Sequence, residues 1–132
     1  MRVVLDTNVF VSGIFWKGSS NKILNLWKDG KFEIVSSAET ISEIVKVLRD
    51  FKIRLPDKII KGIVELIAIN SSIVDLEGCL NLVKDDPKDN MFIEAALEGN
   101  AYFIVSQDKH LLKIREFKGI KIVTPDEFIS LF

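Results

Sequence analysis

Acidic residues cluster in this chain at places where folding alone would not ask for so many, chiefly in the stretch from Lys84 to Leu112, KDDPKDNMFIEAALEGNAYFIVSQDKHLL. Asp86 and Pro87 suit an N-cap and a first helical position, and Phe92, Ile93 and Ala96 recur at helical spacing until Gly99 offers a stop. At roughly 100° per residue Asp89 falls about 60° from Phe92, so it points along the apolar face of that helix. Asp108 follows the β-rich run Ala101 to Val105, and Asp6 follows the apolar run Val3 to Leu5. Each of these two acids therefore stands just past the C-terminal end of a strand, which is where open α/β sheets bind ligands. Carboxylates converging there repel one another unless a cation lies between them. With no His or Cys in the set, the cation expected is a hard one such as Mg²⁺ or Mn²⁺, and the substrate expected is a phosphate ester. Each acid taken singly also has an ordinary use: Asp89 as the N3 acid of a cap on Asp86, Asp108 as a plain N-cap.

The elements that must position these acids can be read in chain order. After strand one, Asp6-Thr7-Asn8 reads as a turn. Ser19 or Ser20 can cap a helix carrying Ile23, Leu24 and Trp27, which ends at Gly30, and Phe32 to Val35 makes strand two. Ser36 with Glu39 fits a capping box for a helix with the apolar stripe Ile41, Ile44, Val45 and Leu48. Pro56 opens another helix, Ile73-Val74 suggests strand three, and Ile120 to Val123 follows the Ala101 to Val105 run as strand five. Thr124-Pro125-Asp126-Glu127 is a capping box for a terminal helix. Strands alternating with helices imply parallel crossovers, hence a three-layer α/β/α sandwich around a central, mainly parallel five-stranded sheet. Asp6 and Asp108 then share one edge of the sheet.

The 132 residues form a single domain over 1–132, large enough to bury a core without disulfides or a structural metal. Cys79 stands alone and reads as a small core residue, and it cannot build a usual zinc site with the single His110. The start, MRVVLDTNVF, lacks the apolar core of a signal peptide, and no segment approaches the length of a membrane span, which points to the cytoplasm. A net charge of −1 excludes a generally basic nucleic-acid surface, so a polyanionic substrate needs local help. The strongest local positive cluster comprises Lys46, Arg49, Lys52, Arg54, Lys58 and Lys61, against only Asp50 and Asp57. Arg49, Lys52 and Arg54 are the nucleic-acid contacts it suggests, with a solvated helix face as the alternative. Phe15 and Trp16, ahead of a Lys-Gly-Ser-Ser loop, read as core residues, with an interface anchor as the alternative.

Glu43 is read differently by pattern and by likeness. On a helical wheel it lies about 100° from Ile44, away from the Ile41 and Leu48 stripe, which places it in solvent. Yet LDTNV, SEIVKVL, DDPKDNMFIEAAL and IVSQDKHLL followed by GIKIVTPDEF together resemble the PIN-domain family over essentially the whole chain. That resemblance implies a metal-dependent nuclease, of a kind often found as the ribonuclease toxin of a toxin-antitoxin pair. It implies that Asp6, Glu43, Asp89 and Asp108 bind Mg²⁺ or Mn²⁺ and act in catalysis, with Asn8 and Ser106 supporting them from behind. A different register of the helix would put Asp86 in place of Asp89. The resemblance further implies an RNA substrate, an antitoxin protein as partner, and a homodimer. Two other readings stay open: a haloacid-dehalogenase-like phosphatase, which Asn8 argues against because it cannot serve as the acid two residues after the nucleophile, and a non-catalytic interaction domain.

Overall fold

In the computed structural model, which describes residues 1–78 and 87–132, the apolar run at the N-terminus forms β1 (Arg2–Leu5). Val3, Val4 and Leu5 are all buried, because helices cover both faces of the strand. Next to β1 lies β2 (Glu33–Ser36), with β3 (Ser71–Ile73) beyond it; on the other side come β4 (Phe103–Val105), β6 (Ile120–Val123) and β5 (Glu116–Phe117). The order is β3-β2-β1-β4-β6-β5, and every pairing is parallel except that of β5 with β6. Six strands stand where five are expected. The added one, β5, is a two-residue antiparallel edge, too short for any alternation to show in sequence.

Seven helices flank the sheet among the described residues: α1 (Thr7–Phe15), α2 (Ser19–Lys28), α3 (Ala38–Asp50), α4 (Asp57–Asn70), α5 (Asn90–Glu98), α6 (Lys109–Leu112) and α7 (Pro125–Ile129). Alternation along the strands divides the core. Val3, Leu5, Ile34 and Val105 face α1, α2, α3, α4 and α7, whereas Val4, Val35, Ile104 and Ile122 face α5 and Leu111 of α6. This is the three-layer α/β/α sandwich expected from the sequence. Each fully buried aliphatic side chain of this kind contributes about 1.5–3 kcal/mol relative to exposure.

Several local expectations shift. Asp6-Thr7-Asn8 opens α1 rather than a turn, with Asp6 as its N-cap residue. The capping box of α3 is Ser37 with Thr40, one residue later than Ser36 with Glu39, because Ser36 is the last residue of β2 and its hydroxyl bonds Ser71 Oγ at 3.2 Å. Ser19 begins α2 without capping it and donates instead to the Asp126 carboxylate. Pro56 lies at the N-cap of α4, one residue before the helix. The Thr124–Glu127 capping box is present as expected. After α5 the left-handed residue is Asn100, φ 52°; Gly99, at φ −90°, is needed for a different reason. A Cβ there would lie 2.5 Å from Val35 Cγ1, so the glycine lets α5 sit tightly on β2. Cys79, Asp85 and Asp86, with the core and N-cap roles expected of Cys79 and Asp86, lie outside the described residues.

Candidate active site in the crevice between β1 and β4

Strand order reverses beside β1: the chain moves from β1 outward to β2 and β3, then crosses back to β4 and β6 on the opposite side. At such a switch point the loops leaving neighbouring strands diverge and open a crevice at their C-terminal ends. Leu5 pairs with Val105 in register, and the Asp6 N–H donates to the Val105 carbonyl at 3.0 Å. Asp6 and Ser106 are therefore the first residues past two adjacent parallel strands. Both are buried, at 4% and 0% exposure.

Ser106 joins the two acids. Its hydroxyl donates to Asp6 Oδ2 at 2.6 Å and accepts from the Asp108 N–H at 2.9 Å. Asp108 is half-buried, and its Oδ1 accepts from the His110 N–H at 2.7 Å, so it caps α6 while standing beside Asp6. The ordinary use left open for Asp108 is thus realised together with its place in the crevice. Asn8, whose side chain is exposed, contributes through its backbone N–H, which acts on the Asp6 carboxylate.

Asp89 reaches the same edge by a different route. Arg2, at the start of β1, donates from Nη1 to the Gly99 carbonyl at 3.1 Å, which ties the end of α5 to the N-terminal edge of the sheet. At about 1.5 Å per residue α5 spans about 13 Å, much like the length of β1, so its start lies at the C-terminal edge. There Asp89 closes a 3-10 turn (Pro87–Asp89) and is 5% exposed. Glu43 lies five residues into α3, about 8 Å along the helix from its start at that edge. It is half-buried, and α3 packs against α1 and touches α5. Among the described residues no three Asp, Glu, His or Cys side chains gather closely enough to hold a metal ion between them. The negative charge of Asp108 acts on Asp6.

Burial pushes the Asp6 carboxyl above the usual aspartate range. The Ser106 hydroxyl and the Asn8 and Thr7 backbone N–H groups oppose that shift, and the negative charge of Asp108 reinforces it. Such a carboxylate holds a proton more readily than an ordinary aspartate, and a cation can take the proton's place. An oxygen-only pair fits Mg²⁺ or Mn²⁺, because a hard, strongly hydrated ion keeps several waters and needs only one or two protein carboxylates. Thr7, next in sequence to Asp6, adds a buried Oγ1 with no hydrogen-bond partner among the described residues. Its composition suggested only a turn; its place directly after a strand-terminal acid is the signal that could have marked it. Glu94 also went unnoticed in the pattern: it is buried on α5 and both its carboxylate oxygens accept from the Gly78 N–H, at 3.1 and 3.0 Å.

Residues 2–110 match the PIN domain family. Among solved structures, VapBC2 from Rickettsia felis bound to a DNA fragment from its promoter contains a chain of similar fold, with a TM-score of 0.60. The match covers 94% of this chain and 98% of that one at 16% identity, so what it shows is a shared fold. Among curated proteins, none matches the sequence.

Proposed function

The chain belongs to the PIN-domain family, and we propose that it is a metal-dependent ribonuclease of the toxin type, hydrolysing phosphodiester bonds of RNA in the cytoplasm. One observation carries the reading: at the switch point of the sheet, the buried Asp6 carboxylate is bound by Ser106 and repelled by Asp108. Asp6 and Asp108 would hold Mg²⁺ or Mn²⁺, with Asp89 at the same edge and Glu43 on α3 as the remaining acids of the set. When bound, the cation lowers the pKa of an attacking water and offsets charge on the scissile phosphate. The chain's own contribution is orientation. Ser106 commits its hydrogen to Asp6 and its lone pair to the Asp108 backbone, so the carboxylate is fixed before substrate arrives.

Arg49, Lys52 and Arg54 are all exposed, and they would contact phosphates flanking the scissile one, a role their charge suits in a protein of net charge −1. Similarity to a chain of the VapBC2 complex supports a protein partner, which in this reading is an antitoxin, and a homodimer belongs to the same reading. Among the described residues no helix is long and apolar enough to cross a membrane.

Single-turnover cleavage of single-stranded RNA with Mn²⁺ or Mg²⁺ tests the proposal. Asp6→Asn should slow cleavage by at least about a hundredfold, the scale on which loss of one preorganised electrostatic group acts. Glu43→Gln should also abolish cleavage, whereas Glu39→Gln should leave it intact, since Glu39 is exposed and outside the capping box of α3. Wild-type rates in Asp6→Asn would remove the assignment of the site, and equal, small effects at positions 39 and 43 would remove Glu43 from it.

A further inference from the structure

Beside the crevice lies a cleft of about 450 Å³, within the range of about 300–1,000 Å³ typical of sites for small organic groups. Ser12, Trp16, Asn21, Gln107 and Thr124 line it. Gln107 stands between Ser106 and Asp108 in the loop after β4, and Thr124 directly follows β6, so the cleft and the two acids share one edge of the sheet. Among the described residues no cationic side chain lines it, and its one acid, Asp126, accepts from Ser19. A cleft of this chemistry does not suit a phosphate. Its neutral amides and hydroxyls suit the edge of a heterocycle, and its aromatic wall suits the face of one.

Trp16 is held for that role. It ends α1, with its N–H donating to the Ser12 carbonyl at 2.9 Å, and the preceding Phe15 stacks on Phe51 at 4.5 Å with the rings 4° from parallel. Trp16 itself remains 49% exposed, and the Lys52 ammonium lies 5.7 Å from the centroid of its ring. An exposed tryptophan next to a cation, between a basic cluster and a polar cleft, is the combination by which proteins grip single strands: bases stack on the ring while cations follow the backbone. We infer that the cleft receives one unstacked nucleobase of a single strand whose neighbouring phosphate lies at Asp6 and Asp108, with Trp16 stacking on the base and Gln107 reading its edge. This rests on the nuclease reading of the crevice.

The test measures binding of a labelled single-stranded oligonucleotide, and of an abasic strand of equal length, to the metal-free protein in EDTA. Trp16→Ala should weaken binding of the intact strand by about tenfold, as removal of one base-stacking aromatic does. The salt dependence should stay unchanged, because no charge is lost, and the abasic strand should bind both proteins equally. Trp16→Phe should retain most of the affinity, and Gln107→Ala should alter the ranking among the four homopolymers. If Trp16→Ala binds the intact strand like wild type, or weakens both strands equally, while the wild type still cleaves RNA, the base site is overturned and the nuclease reading stands. A wild type that binds no oligonucleotide and cleaves none with Mn²⁺ overturns both.

Discussion

Asp6, Ser106 and Asp108 are held by hydrogen bonds of 2.6 to 2.9 Å at the buried C-terminal ends of two neighbouring strands, whereas Arg49, Lys52, Arg54 and Trp16 stand exposed along the far end of α1, the last turn of α3 and the segment after it. The first region is rigid chemistry: a charge kept out of water, with its orientation fixed in advance. The second has cations in water and one aromatic ring, and its contacts tolerate a moving strand. The difference teaches how a slightly acidic protein can act on a polyanion. Attraction is spread over exposed side chains that cost little to keep charged, while the groups that act on one bond are concentrated where burial makes their electrostatics strong.

Breaking the first region without removing an acid gives the largest effect after those of Asp6→Asn and Glu43→Gln. Ser106→Ala leaves both carboxylates but frees the Asp6 carboxylate and the Asp108 N–H from their common partner. Cleavage or Mn²⁺ affinity should fall about 10- to 100-fold, as when groups behind metal ligands are lost. Replacing Arg49, Lys52 and Arg54 together with Gln sharpens the comparison from the other side. The slope of log affinity for single-stranded RNA against log salt should flatten by about two, from three lost contacts at roughly 0.7 each, with Mn²⁺ affinity unaltered. An unchanged slope with normal cleavage would return those cations to solvent or to a protein partner.

Much of this division can be read in the sequence, for reasons that vary by residue. Val3 to Leu5 and the run ending at Val105 are continuous apolar segments, so the places of Asp6 and Asp108 after parallel strands follow from pattern. That these two strands are neighbours does not, because pairing is a long-range outcome: β1 and β4 are about a hundred residues apart, and the reversal of order beside β1 leaves no local mark. Helix α1 escapes because Thr7, Val9, Phe10, Val11 and Gly13 are all buried, so no polar face sets a helical period. The capping box of α3 is displaced by a single residue between two serines that differ only in which is still paired in the sheet. Glu43 enters the candidate set only through family resemblance, since its wheel position predicts solvent; the fold leaves it half-buried. Trp16, read by type as core, is exposed because α1 ends at it and Phe15 takes the place against Phe51.

Thermal unfolding of the wild type and Asp6→Asn, with EDTA and with Mn²⁺, tests the cation site most directly, because it needs no substrate. Burial raises the folded-state pKa of Asp6. The stability associated with its bound proton is therefore fully present below the ordinary aspartate pKa and is lost as pH rises through the raised folded value. At neutral pH in EDTA, Asp6→Asn should melt above the wild type, and the gap should close as pH falls below the ordinary aspartate range. At a Mn²⁺ concentration of about one hundred times the dissociation constant, the wild type should gain about 2.7 kcal/mol, a shift of several degrees, and Asp6→Asn should gain little. A Mn²⁺ shift equal in both proteins, or absent from the wild type, would contradict the assignment of Asp6 to a divalent cation.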